Sequence, residues 1–321
     1  MSQCGPAGPI EHPPAQNDQR YPTMGKKGKR STKTGDGKAK QGPGKARRER
    51  AAAMKEIRAG VTALIERLES ETKDMELYGP LPEQEECPIC FVPMPRLDAD
   101  KMYNDCCGHT VCGGCIHASY EAFSKTSNPC AFCRSVTVLD NKKIIARLRG
   151  RVEKNDIDAI SNLAVRYWKG TYGLPKGESM TLRLHLRAAE LGSLRSTHTL
   201  ALHFYESFNR DVPQDAAVAM KLATLAAKKG HLESVYFLGH IYDELDDNEN
   251  AAKHWIFAAR AGHSASMDAV RKNKINGNYV MSDDDLDAIE EAYKDAAKQE
   301  WSEEREAFKR QFEIRQSLGW T

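Results

Sequence analysis

The feature that most restricts how this chain can fold is a run of cysteines between positions 87 and 133. Cys87 and Cys90 form one C-x2-C pair, Cys107-Gly-His109 and Cys112-Gly-Gly-Cys115 follow, and Cys130 and Cys133 close the run. Seven of the nine cysteines and one histidine thus fall into four close pairs. Thiolates and imidazoles suit tetrahedral zinc, and two intervening residues let a tight turn aim both sulfurs at one ion. Eight such ligands make two closed sites. A disulfide framework is the competing use of clustered cysteines. It belongs to small secreted chains, whereas this one has 321 residues, an odd cysteine count and no apolar stretch at its start. A reducing, intracellular setting, cytoplasmic or nuclear, is therefore expected.

The order C-x2-C, C-x-H-x2-C-x2-C, C-x2-C resembles a RING finger of the seven-cysteine, one-histidine kind. The resemblance implies a small cross-braced module over residues 83–137 with two zinc ions. Cys87, Cys90, Cys112 and Cys115 would hold the first, and Cys107, His109, Cys130 and Cys133 the second. Cys106 stands at C-x2-H spacing and remains an alternative to Cys107, which the Cys-Gly-His spelling favours. It further implies a ubiquitin ligase with no catalytic residue of its own, since four protein ligands per ion leave no position for an activated water. Such a module binds a ubiquitin-loaded conjugating enzyme and orients the thioester for attack by a substrate lysine. Ile89 and Phe132 match the apolar contacts to that enzyme. Arg134 matches the linchpin whose guanidinium fork reaches both proteins. Ala131 and Ser119 stand where active members often carry Pro and Trp. They keep open a second reading, a zinc-stabilised scaffold without ligase activity.

Around this module the chain changes character several times. Residues 1–45 are rich in Pro, Gly, Gln and Lys, and read as a disordered tail. Positions 26 to 50 hold eleven Lys or Arg against two acidic residues, a local balance of +9 in a chain of net +2. That cluster reads as an import address, a weak nucleic-acid patch acting through counterion release, or simply a solvated tail. From 46 to 79 the composition favours helix. Met54, Ile57, Val61, Leu64 and Leu68 recur three and four apart, and Met75 follows after a break at Glu71, which predicts one amphipathic helix stopped by Gly79-Pro80. A short helix is expected over Ile116 to Phe123. No stretch approaches the roughly 18 apolar residues of a membrane span.

After residue 156 the sequence repeats itself. Leu163-Ala-Val-Arg-Tyr167, Leu200-Ala-Leu-His-Phe204 and Leu238-Gly-His-Ile-Tyr242 are followed by Ala188-Ala189, Ala226-Ala227 and Ala258-Ala259, with Gly192, Gly230 and Gly262 just beyond. A period of this length marks a solenoid, in which no copy can bury its apolar face alone. The pattern resembles Sel-like repeats, relatives of tetratricopeptide repeats. RING plus array resembles a group of algal proteins. The fold class expected is mostly α: a two-zinc module, then an α-solenoid of helix-turn-helix repeats over 156–280 that recruits a protein through its concave face. A last helix, 282–316, is predicted to cap the solenoid with its first half and project with its second. The repeat histidines, and Tyr167, Trp168, Tyr242 and Trp255, read as capping or packing residues.

Overall fold

The computed structural model describes residues 43–123, 129–136, 138–206 and 214–317. Residues 1–42, which hold most of the basic tail, lie outside them. The described residues contain twelve α-helices, one short 3-10 helix (Asp98–Asp100) and one two-stranded antiparallel sheet.

Helix α1 (Pro43–Glu71) buries Met54, Ile57, Val61, Leu64 and Leu68, the stripe the periodicity predicts. It lies across α5 (Glu178–Glu190) and α7 (Ala216–Lys228). It ends earlier than expected. Thr72, fully buried, donates through Oγ1 to Leu68 O at 2.8 Å, and its own carbonyl accepts from Lys228 Nζ at 3.3 Å. The chain then turns to lay Tyr78 against His254 and Phe257, leaving Met75 42 % exposed.

The array is α4 (Ile157–Lys169) with α5, α6 (Leu194–Glu206) with α7, and α8 (Leu232–Glu244) with α9 (Asn248–Arg260), extended by α10 (Ser264–Ile275) and α11 (Asp283–Gln299). The paired alanines are buried, which lets neighbouring helices approach. Gly230 and Gly262 take φ of 89° and 91°, a left-handed turn that side chains resist. The residue after each caps the next helix: His231 Nδ1 accepts from Ser234 N and His263 Nδ1 from Ser266 N. Buried serines carry the same bonding between helices, Ser196 Oγ to His185 and Ser234 Oγ to His198, both at 3.1 Å. The histidines are thus capping and packing groups.

The final helix is two helices. Ser302 Oγ accepts from Arg305 N at 3.2 Å and starts α12 (Glu303–Ser317) after a break that leaves Trp301 exposed. Ile289 of α11 closes the solenoid against Trp255, Met267 and Val270. Helix α12 does not project. It turns back onto α2 (Gly113–Ala122) of the cysteine module.

Candidate metal centre

The module begins and ends with the same small device. Cys87 O accepts from Phe91 N at 2.9 Å and Cys87 N donates to Val92 O at 3.0 Å; Cys130 O accepts from Arg134 N at 3.0 Å and Cys130 N donates to Ser135 O at 2.9 Å. Phe91 and Arg134 take φ of 58° and 60°, left-handed backbone that costs a non-glycine residue about 1 kcal/mol or more. Two copies of one strained turn, each wrapped around a C-x2-C pair, hold both sulfurs of the pair toward one point. Between them, β1 (Lys101–Asn104) pairs with β2 (His109–Cys112), and α2 follows directly.

Four thiols meet at each of two places: Cys87, Cys90, Cys112 and Cys115 at one, Cys106, Cys107, Cys130 and Cys133 at the other. All eight are free thiols. A zinc–sulfur bond of about 2.3 Å in a tetrahedron places sulfurs about 3.8 Å apart. Cys87 to Cys115 is 3.8 Å, Cys90 to Cys112 3.9 Å, Cys107 to Cys130 3.9 Å and Cys106 to Cys133 3.5 Å. Donor type and spacing at both places therefore fit a four-thiolate zinc site.

The second set differs from the expected one at a single position. Cys106 joins it, and His109 does not. The turn that brings Cys107 N and Gly108 N onto Asn104 O keeps both neighbouring thiols at the cluster. His109 is already the first residue of β2, opposite Asn104, and its exposed ring stacks on Phe132 at 3.9 Å between centroids. The adjacent Cys106-Cys107 pair was the available signal.

The two clusters sit in different surroundings. Each has one exposed thiol, Cys90 in the first and Cys133 in the second, but Cys87 and Cys112 are buried in the first against Cys130 alone in the second, and Arg305 lies 3.7 Å from Cys90. Hydrogen bonding from Cys115, and to a lesser extent the Arg305 guanidinium, pulls the Cys112 thiol down to about 4 against the opposing effect of burial. Hydrogen bonds from Ser135 bring Cys133 to about 6.

Of the residues matched to conjugating-enzyme contacts, Ile89 and Phe132 are half-buried against one apolar group with Val111 and Met102. Arg134 is exposed, its guanidinium 5.7 Å from the centre of the Phe123 ring. Ala131 and Ser119 are both buried.

The module is bonded to α3 (Asn141–Val152) and to the starts of α4 and α8. Tyr103 donates to Asp156 Oδ2 at 2.8 Å, Thr110 to Asp158 at 2.5 Å, and Arg151 to Asp105 O at 2.8 Å and Cys106 O at 3.0 Å. Further along, Asp98 N donates to Glu233 at 2.6 Å, and Glu300 accepts from Gln84 and Arg96 N. Asp98, His231 and Glu233 come within metal-ligand distance of one another. A cation there would need His231 Nε2 as a lone pair, moving the ring proton to Nδ1. That atom is the acceptor that caps α8, and Nε2 donates to Asp98 at 3.2 Å. Lys101 already supplies the positive charge, at 3.3 Å from Asp98. With the His231 hydrogen bond it holds the Asp98 carboxyl low in spite of burial. This group is an ionic joint between module and solenoid.

The Sel1 repeat family matches residues 157–193, 199–231 and 233–263, so the C-terminal region carries Sel1 repeats, in the register α4–α5, α6–α7 and α8–α9. No RING family match accompanies it, and no curated protein matches the chain. Among solved structures, a Sel1 repeat protein from Oxalobacter formigenes is similar over 40% of this chain and 97% of its own, at 23% identity and a TM-score of 0.35. The protective antigen c5321 of uropathogenic Escherichia coli, which displays an SLR fold, is similar over 48% of this chain and 33% of its own, at 25% identity and a TM-score of 0.41. These repeats make the region a helical protein-interaction scaffold. No helix among the described residues is long and apolar enough to cross a membrane.

Proposed function

We propose that this protein is a scaffold in which a two-zinc cysteine module and a Sel1 solenoid act as one rigid body that holds partner proteins. The carrying observation is the seam: Tyr103 and Thr110 tie the module to the start of the first repeat, Asp98 ties it to the third, Arg151 just before the array holds the Asp105 and Cys106 carbonyls, and α12 closes over α2. Zinc would be held by Cys87, Cys90, Cys112 and Cys115, and by Cys106, Cys107, Cys130 and Cys133. Its chemistry there is structural, since four thiolates per ion leave no place for water or substrate. Metal binding then contributes folding free energy to a module whose own apolar core is small. The solenoid, with α1 covering its α5 and α7 face, offers its remaining surface, the concave face included, to a protein partner.

A second reading makes the module a ubiquitin ligase. It is favoured by Arg134, exposed directly after the last cysteine, with Ile89 and Phe132 in one apolar group nearby. One experiment separates the two: single-turnover discharge of ubiquitin from a panel of loaded conjugating enzymes onto free lysine, with zinc content measured alongside. Discharge that falls in Arg134→Ala while both ions stay bound establishes the ligase. Absence of discharge by the zinc-loaded wild type, with no conjugating-enzyme binding that Ile89→Ala weakens, leaves the scaffold.

A further inference from the structure

Arg305 is 5 % exposed, yet among the described residues no carboxylate pairs with it. Its Nη1 donates to Pro93 O at 2.7 Å and Glu300 O at 2.8 Å, and its Nη2 lies 3.3 Å from Val92 O and 3.7 Å from Cys90 Sγ. Carbonyl dipoles satisfy hydrogen bonds but do not cancel a buried charge, which costs several kcal/mol unless an anion compensates it. The anions at hand are sulfurs. Four thiolates around a divalent ion retain an excess of two negative charges, so the guanidinium and the first cysteine site each supply what the other lacks. At the second site Cys133, exposed as Cys90 is, bonds with Ser135 and Cys106, and the nearby Arg151 guanidinium reaches the Cys106 carbonyl rather than a sulfur.

We propose that Arg305 is the outer-sphere residue of the first cysteine site: it balances the thiolates, slows loss of the ion, and makes the seating of α12 depend on metal. The inference rests on the zinc reading above. It assigns a role to a residue more than two hundred positions away from Cys90, delivered by a helix that the sequence suggests should project. Gly113 and Gly114 show how close that helix comes. A Cβ on Gly114 would lie 2.7 Å from the Arg305 backbone nitrogen, and one on Gly113 would strike the Phe308 ring.

The test is zinc release from the full-length protein into excess chromophoric chelator, with cysteine alkylation mapped by mass spectrometry as each ion leaves. Wild type is expected to lose its ions in two phases, with Cys106, Cys107, Cys130 and Cys133 alkylated first. Arg305→Ala should accelerate the slow phase about 10- to 100-fold, the usual effect of removing an outer-sphere partner, and leave the fast phase unchanged. Arg305→Lys, which keeps the charge without the fork, should fall between. Phe308→Ala, which loosens α12 but keeps the guanidinium, should change the slow phase less than about 3-fold. In wild type, zinc removal should raise hydrogen exchange over residues 303–311. A single phase in wild type, an unchanged slow phase in both Arg305 variants, or equal acceleration by Phe308→Ala overturns the proposal. A wild type that purifies without zinc sinks the zinc reading itself, a distinguishable result.

Discussion

Replacing Ile57 by alanine, with Met75→Ala as its partner, tests whether α1 is part of the solenoid core. The two side chains belong to one stripe in the sequence, Met75 following Leu68 across a break at Glu71, and the single helix expected there encloses both. In the structure Ile57 is 1 % exposed in a core shared with Leu182, Leu200, Leu222 and Phe237, whereas Met75 is 42 % exposed beyond the helix end. Truncating a fully buried isoleucine to alanine removes its transfer free energy and leaves a cavity, together about 2–5 kcal/mol. Helices on both sides pin this site, so about 3 kcal/mol is the expected loss. For a folded unit of this size that lowers Tm by roughly 6–12 °C. Met75→Ala should cost less than about 0.5 kcal/mol, a shift of a degree or two. Thermal melts followed by circular dichroism, with urea midpoints at constant m, read both values. Equal small shifts for the two variants would refute the docking of α1.

Acid should weaken the solenoid before it reaches the usual carboxylate range. Burial holds His203 and His254 down to about 4, and burial with neighbouring His231 and His240 does the same for His263. Their stability contribution is complete above the unfolded value of 6.5 and is lost as pH falls toward 4, up to about 3 kcal/mol per ring. Urea midpoints should therefore drop across that window, and His203→Gln should flatten the drop. Cys106→Ser should reduce bound zinc from two ions to one while His109→Ala retains both, as read by metal analysis; the reverse result would restore the histidine ligand. Gly114→Ala should unseat α12 at a cost of about 1–3 kcal/mol, because the facing Arg305 backbone cannot yield. Faster proteolysis between Glu300 and Ser302 would report it, and an unchanged cleavage pattern would count against the packing of α12 on α2.

What the sequence determined by itself was local. C-x2-C spacing announced where thiols would converge, because a turn of four residues aims its own ends. The helix stripes, the paired alanines and the glycines after them announced the repeats, because helical periodicity and left-handed caps are written within a dozen residues. A break at residue 302 was also legible: Ser302 followed by Glu303, Glu304 and Glu306 is a helix-start signal that the long apolar stripe obscured. Tertiary structure decided the rest. Whether Cys106 or His109 closed the second site depended on how a hairpin placed neighbouring side chains, which spacing treats as equivalent. Met75 lost its place in the core because Tyr78 found His254 and Phe257 on α9. Arg305 reached Cys90 because two glycines at the start of α2 left room for a helix from the far end of the chain. Contacts between residues so far apart in sequence are settled by which surfaces remain uncovered once each element has formed, and no local pattern records that.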